Sequence, residues 1–123
     1  MKALQNIFDE VNRADVFQGT KVTSVHTERF DGAPHTALHM AAKWGDVEAV
    51  TVLVANGADI NKPGEEAFTP LHYAVEQGQL DAVRCLLSLG AVNLQDRNGD
   101  TPSRLAKALH HTSIHEALVE HGF

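Results

Sequence analysis

Histidine and cysteine are the side chains of this 123-residue chain best suited to ligating a metal or acting as a nucleophile. Two histidine pairs, His35/His39 and His111/His115, have the four-residue spacing at which two imidazoles on one helix face can share a metal. A protein zinc site takes three or four ligands, and Cys85 is distant in sequence from both pairs. The sequence therefore predicts no metal site.

Nucleophilic and acid–base chemistry are equally poorly supported. Cys85 lies on an apolar helical stripe with no base placed beside it, so we interpret it as a small, partly buried hydrophobe. The carboxylates of Glu65, Glu66, Asp96 and Asp100 fall in polar loops, where we expect solvated tips. Motifs for phosphate-binding loops, nucleophile elbows and helical zinc sites are absent from the sequence. We predict no enzyme, no catalytic residue and no cofactor.

Composition narrows the class of protein further. The 10 basic and 16 acidic side chains give a formal charge of −6, which disfavours nucleic acid and anionic membrane surfaces. A single cysteine precludes an intrachain disulfide, which suits a reducing compartment. No run approaches the roughly 20 apolar residues of a membrane helix, and Asp9 and Glu10 interrupt any N-terminal signal. We expect a cytoplasmic single domain over residues 1–123.

The elements that must position these side chains come from an internal repeat of 33 residues. Ten identities join the windows 36–58 and 69–91 at this one offset: Thr36/Thr69, Leu38/Leu71, His39/His72, Ala41/Ala74, Gly45/Gly78, Ala49/Ala82, Val50/Val83, Leu53/Leu86, Gly57/Gly90 and Ala58/Ala91. A weaker third copy follows at an offset of 32, beginning at Thr101-Pro102. Repeats of this length indicate stacked supersecondary units.

Each period contains the signals of two helices. Thr69 and Pro70 are a helix N-cap and a first-turn proline, and apolar residues at helical spacing follow as far as Gly78. A second apolar stripe, 80–87, ends at Gly90 and is followed by a polar, turn-rich loop. One such pair cannot bury its apolar face alone, so we expect several pairs to stack.

The sequence Thr-Pro-Leu-His at 69–72, with Gly78 and Gly90-Ala91 at fixed offsets, resembles the ankyrin repeat. This resemblance implies an all-α solenoid of stacked antiparallel helix pairs joined by hairpin-like loops. We assign two good repeats, 31–63 and 64–96, a divergent N-terminal capping repeat, 1–30, and a degenerate C-terminal capping repeat, 97–123. The resemblance also implies that His39 and His72 are structural, with hydrogen bonds between neighbouring repeats.

The resemblance implies a module that binds a partner protein through a concave face made of hairpin tips and first helices. Trp44, the solitary tryptophan, stands where Gln77 and Leu109 stand in later repeats, and we predict that it is the main anchor. Phe68 is the second candidate. Two alternatives stay open: Trp44 folds back over the stack, or Phe68 packs between adjacent hairpins. The predicted binding set also includes His35, Lys43, Glu65, Glu66, Glu76, Gln77, Arg97 and Asp100.

The predicted binding face is net acidic, so we expect a partner with a basic or mixed apolar surface. The function that follows is an adaptor, an inhibitor or an immunity-type partner protein, which we expect to be a monomer. The alternative is a metal- or pH-responsive regulatory protein that uses its histidine-rich C-terminal region. Zinc titration would separate these two classes.

Overall fold

The computed structural model describes residues 2–13, 23–27 and 36–123. Helices account for all of the regular structure in these ranges, which confirms the all-α prediction. There are seven α-helices in the described part: α1 (Leu4–Arg13), α2 (Ala37–Trp44), α3 (Val47–Ala55), α4 (Pro70–Glu76), α5 (Leu80–Ser88), α6 (Pro102–Ala108) and α7 (Thr112–Glu120). A short 3₁₀ turn at Glu65–Ala67 precedes α4.

The helices form pairs that stack in two rows. The helices α2, α4 and α6 pack in sequence to form the first-helix row, and α3, α5 and α7 form the second-helix row. Each first helix also packs on the second helix of its own pair, and α1 contacts both α2 and α3. The polar loops that lead into α4 and α6 are called the second and third hairpin loops. They close like hairpins, because Gly64 N–H donates to Phe68 O (2.7 Å) and Asp96 N–H donates to Asp100 O (2.9 Å).

The repeat period reappears in the core. Leu53, Leu86 and Leu118 are equivalent residues of the second-helix row, and all three are fully buried. Equivalent alanines of the first-helix row, Ala41 and Ala74, are buried as well, and such small side chains let neighbouring helices approach closely. The spacing that defines the repeat therefore also defines one continuous apolar interior.

The first helix α2 ends at a left-handed residue that faces the next repeat. Gly45 has a φ of +73°, and a Cβ there would lie 2.4 Å from Gln79 Oε1. The same Gln79 donates through Nε2 to Lys43 O (3.2 Å), so one side chain of the next repeat bonds to the end of α2. Glycine at position 45 thus satisfies two needs, a positive φ and room for this inter-repeat contact.

The second and third repeats vary this arrangement. His111 takes the place of Gln79: its ring would lie 3.4 Å from a Cβ at Gly78, and its Nε2 lies 3.4 Å from Glu76 O. In the third repeat His110 stands where the glycine is expected, and it adopts a φ of +61° with its side chain exposed. A non-glycine residue is therefore held in the left-handed region there.

The assigned repeat boundaries stay predictions. The proposed N-terminal capping repeat, 1–30, contains α1 and a turn at residues 23–27, whereas residues 14–22 and 28–35 lie outside the described residues. At the start of the chain, the ammonium group of Lys2 contacts Asp46 and Glu10, which ties the segment before α1 to the start of α3.

Candidate protein-binding face

Trp44 is the last residue of α2, and 40 % of its surface is exposed. Its equivalents in the other repeats are exposed too: Gln77 follows α4, and Leu109 follows α6 with 42 % of its surface accessible. The three side chains therefore occupy the same place at the ends of successive first helices. Lys43, beside Trp44, is half-buried, and its carbonyl accepts the bond from Gln79.

Phe68 lies at the base of the second hairpin loop, where it is partly exposed. Its ring stacks on His72 with a centroid distance of 5.2 Å and an interplanar angle of 24°. It also makes a T-shaped contact with the ring of Tyr73, with a centroid distance of 5.6 Å and an interplanar angle of 73°. Phe68 thus packs on the helix that follows it, and part of the ring stays accessible.

A pocket of about 160 Å³ opens beside this ring. Its lining brings together four residues of the predicted binding set with one further aromatic side chain: Glu65, Glu66, Phe68, Tyr73 and Glu76. The glutamates are exposed, whereas Tyr73 is buried and contributes a wall. Sequence reasoning missed Tyr73, although it is the only aromatic residue among its equivalents Met40, Tyr73 and Leu105.

Arg97 joins the third hairpin loop to the rim of this pocket. Its backbone N–H donates to Glu66 O (2.9 Å), and its Nη1 lies 3.7 Å from Glu66 Oε1. Asp100 is separate, since its carboxylate faces Arg104 Nε at 3.7 Å and its carbonyl accepts from His72. Gln77 lies beside the pocket, with its Nε2 3.4 Å from Glu76 Oε1.

The expectation of a solvated Asp96 is wrong. This side chain is buried, and its Oδ1 accepts the backbone N–H groups of Asn98 and Asp100, each at 2.9 Å. A carboxylate at this place pairs donors that a tight loop would otherwise leave without partners. Asp96 therefore organises the third hairpin loop. The second loop has Gly64 at the equivalent place and cannot form these bonds.

His39 and His72 make the same set of hydrogen bonds in successive repeats. The Nδ1 atom accepts the backbone N–H of Thr36 in one case (2.9 Å) and of Thr69 in the other (3.2 Å). A backbone N–H can only donate, so the ring proton is on Nε2, which donates to a loop carbonyl. His39 donates to Lys62 O (2.7 Å), which lies within its own assigned repeat, 31–63. His72 donates to Asp100 O (3.0 Å), which lies in the next repeat, so only this bond joins two assigned repeats.

Burial favours the neutral form of the second ring, that of His72. His72 is fully buried, and desolvation lowers its pKa below the ordinary value of 6.5, with the Asp100 carbonyl acting in the opposite direction. Both ring nitrogens of His39 and of His72 are used in these bonds, which leaves neither ring a nitrogen for a metal.

The remaining histidines do not form a metal site in the part of the chain that the structure describes. His111 lies against the end of α4, whereas His115 lines a pocket of about 170 Å³ with His110, so the two histidines of this pair do not line the same pocket. Within the described ranges, no three histidine, cysteine or acidic side chains converge on a point where a metal could bind. His35, which belongs to the predicted binding set and to the other histidine pair, lies outside the described residues.

Stacked helix pairs with hairpin-like loops and buried histidines bonded to those loops define a helical-repeat protein. The family description "Ankyrin repeats (3 copies)" matches residues 8–96, and the chain belongs to this family. Ankyrin repeats are protein-interaction modules, and such domains are generally non-catalytic.

Relatives in the family differ widely in length and role. The human protein phosphatase 1 regulatory subunit 27 is 46 % identical over 70 residues, which are 56 % of this chain and 46 % of that protein. Mouse Rabankyrin-5 is 36 % identical over 103 residues, 73 % of this chain and 9 % of that protein. The Drosophila melanogaster ARF GTPase-activating protein Git is 39 % identical over 85 residues, 68 % of this chain and 12 % of that protein. The chain thus spans less than half the length of each.

Among the described segments, no helix has the length and apolar character needed to span a bilayer.

Proposed function

We propose that this chain binds a partner protein through the exposed ends of its first helices and its hairpin loops. The observation that carries the proposal is the exposure of Trp44, a large apolar side chain at the end of a helix whose other apolar residues are buried. Tryptophan is over-represented among residues that dominate binding energy. Leu109 offers a second exposed apolar contact at the equivalent place in α6.

The charge of the proposed face indicates the kind of surface that its partner presents. Glu65, Glu66 and Glu76 cluster beside Phe68, whereas the basic residues of the predicted binding set are Lys43 and Arg97. We expect a partner whose surface is basic or mixed apolar. A role as adaptor, inhibitor or immunity-type protein, a monomeric state and a cytoplasmic location all remain predictions.

Site-specific photo-crosslinking tests the proposal and captures the partner in the same experiment. A photoreactive residue at Gln77 should crosslink to a discrete protein in cells of the native source. The same residue at Ser113, which is exposed on the second-helix row, should not. Equal crosslinking from both positions would contradict the proposed face.

Trp44→Ala should weaken binding to the crosslinked partner by about thirtyfold, since truncating a central aromatic anchor costs about 2 kcal/mol or more. The matched control is Val119→Ala, which removes an exposed apolar side chain on α7. Calorimetry gives the affinities and thermal unfolding gives the stabilities. If Trp44→Ala leaves the affinity intact and lowers the melting temperature sharply, Trp44 belongs to the core.

One relative supplies a first partner to test. The 46 % identical human protein is named a regulatory subunit of protein phosphatase 1, so that phosphatase is the first protein to titrate. Binding that is lost with Trp44→Ala and kept with Val119→Ala would assign both partner and face. If no binding is detected, protein phosphatase 1 is eliminated, and the crosslinking experiment still decides the general proposal.

A further inference from the structure

We propose that the pocket between the second hairpin loop and α4 receives an arginine side chain of the partner protein. This inference rests on the proposed function and names the chemistry of one contact within it. The pocket combines an aromatic wall, formed by Phe68 and Tyr73, with a carboxylate rim, formed by Glu65, Glu66 and Glu76.

Contacts with two buried histidine rings support the aromatic wall. Phe68 stacks on His72, which is buried and bonded through Nε2 to the Asp100 carbonyl at 3.0 Å. Tyr73 makes T-shaped ring contacts with both Phe68 and His39, with a centroid distance of 5.5 Å to His39. A partner would therefore meet a pre-formed aromatic surface, which reduces the entropy lost on binding.

The rim supplies negative charge, and the described side chains that line the pocket include no basic one. A basic group does reach the rim from outside: Arg97 lies 3.7 Å from Glu66, with 70 % of the Arg97 side chain and 54 % of the Glu66 side chain exposed. Exposed pairs of this kind contribute little to stability. A partner's guanidinium can therefore take the place of Arg97 at Glu66 at low cost, and Arg97 returns to water.

Arginine fits this combination better than other side chains. A guanidinium group stacks flat on an aromatic ring and binds carboxylates through paired N–H donors, whereas an ammonium group offers a point charge. An apolar side chain would desolvate the carboxylates without pairing them. The volume of about 160 Å³ is below the range of roughly 300–1,000 Å³ typical of small-molecule sites, so a single side chain is the appropriate occupant.

The test uses the full chain labelled with ¹⁵N and three capped pentapeptides, Gly-Gly-Xaa-Gly-Gly, in which Xaa is arginine, lysine or norleucine. The arginine peptide should shift the backbone amides of residues 65–76 in a saturable manner. The lysine peptide should bind more weakly, and the norleucine peptide should cause no saturable shift. Equal shifts with norleucine, or lysine binding as tight as arginine binding, would overturn the inference.

Variants separate the two parts of the pocket. Phe68→Leu should weaken the arginine peptide about two- to fivefold, the loss expected for a partly exposed cation–π contact. Glu66→Gln with Glu76→Gln should weaken binding of the arginine peptide by a similar factor.

The control variant, Glu116→Gln with Glu120→Gln, changes the charge equally on α7 and should have no effect. Arg97→Gln should strengthen binding up to about twofold because it removes a competitor for Glu66. If the α7 control variant binds the arginine peptide as weakly as the pocket variants do, the site is not local to the pocket.

The pocket and the wider proposal can fail independently. If the crosslinked partner is weakened by Trp44→Ala and unaffected by Phe68→Leu and by the double glutamine variant, the binding face stands and the arginine pocket is wrong. If the arginine peptide binds as expected and crosslinking at Gln77 captures no discrete protein, the pocket chemistry stands and the proposed function is wrong.

Discussion

His72 contributes to stability through bonds that depend on both nitrogens of its ring. Its removal in His72→Ala leaves the Asp100 carbonyl without its donor and the Thr69 N–H without its acceptor. A buried polar group that loses its partner costs about 1–3 kcal/mol, and we expect a loss of this size in urea unfolding. His121→Ala, at an exposed residue, is the control. Equal stabilities of His72→Ala and the wild type would contradict the structural role.

The same residue gives a pH dependence with a definite sign. Burial lowers the pKa of His72 in the folded state, so below the ordinary value of 6.5 the unfolded chain takes up the proton first. This contribution to stability is present above 6.5 and is lost as the pH falls toward the folded pKa. The free energy of unfolding that His72→Ala loses relative to wild type should therefore become smaller as the pH falls from about 7.5 to about 5.5. A constant deficit would contradict a lowered pKa.

Zinc affinity is the residue-level test of the metal-responsive alternative. His111 and His115 do not share one pocket, and the described residues bring no third ligand to either, so we expect no tight stoichiometric binding. Calorimetric titration of the whole chain measures this directly. Submicromolar binding that His115→Ala abolishes would favour the alternative function.

At the level of the element, the end of α6 departs from the ends of α2 and α4. His110 adopts a left-handed backbone conformation that glycine adopts without penalty. We expect His110→Gly to raise the free energy of unfolding by about 1 kcal/mol. Lys107→Gly, within α6 and three residues away, should lower it by about 0.5–1 kcal/mol. If both variants shift stability in the same direction, strain at His110 is not the cause.

Much of each element could be predicted from the sequence, because the helix signals are local. Thr69, Pro70 and Gly78 mark the start and end of α4 by their own backbone and hydrogen-bonding preferences. The contacts between repeats could not be predicted in this way. The bond from His111 to α4 and the wall formed by Tyr73 depend on which side chain the stacking brings opposite another.

For the whole molecule, the sign of the charge should govern how fast a partner arrives. The formal charge is −6, and Glu65 and Glu66 belong to the pocket rim. Glu65→Lys with Glu66→Lys should slow association with a basic partner, and the effect should shrink as salt rises. Asp81→Lys with Glu116→Lys, on the exposed sides of α5 and α7, is the control. Stopped-flow mixing measures both, and a salt-independent effect would point to lost contacts instead of steering.

The bonds between repeats have a consequence for how the chain acquires its structure. They join residues about one period apart in sequence. The separation is 36 residues for Gln79 and Lys43, 31 residues for Val92 and Asn61, and 28 residues for His72 and Asp100. None of these three bonds requires distant parts of the chain to meet, so helix pairs can be added one after another. Local unfolding should likewise begin at an end of the stack and stop at a boundary between two repeats. A partner that spans Trp44 and the Phe68 pocket would connect two adjacent repeats, and its binding would slow amide exchange in both.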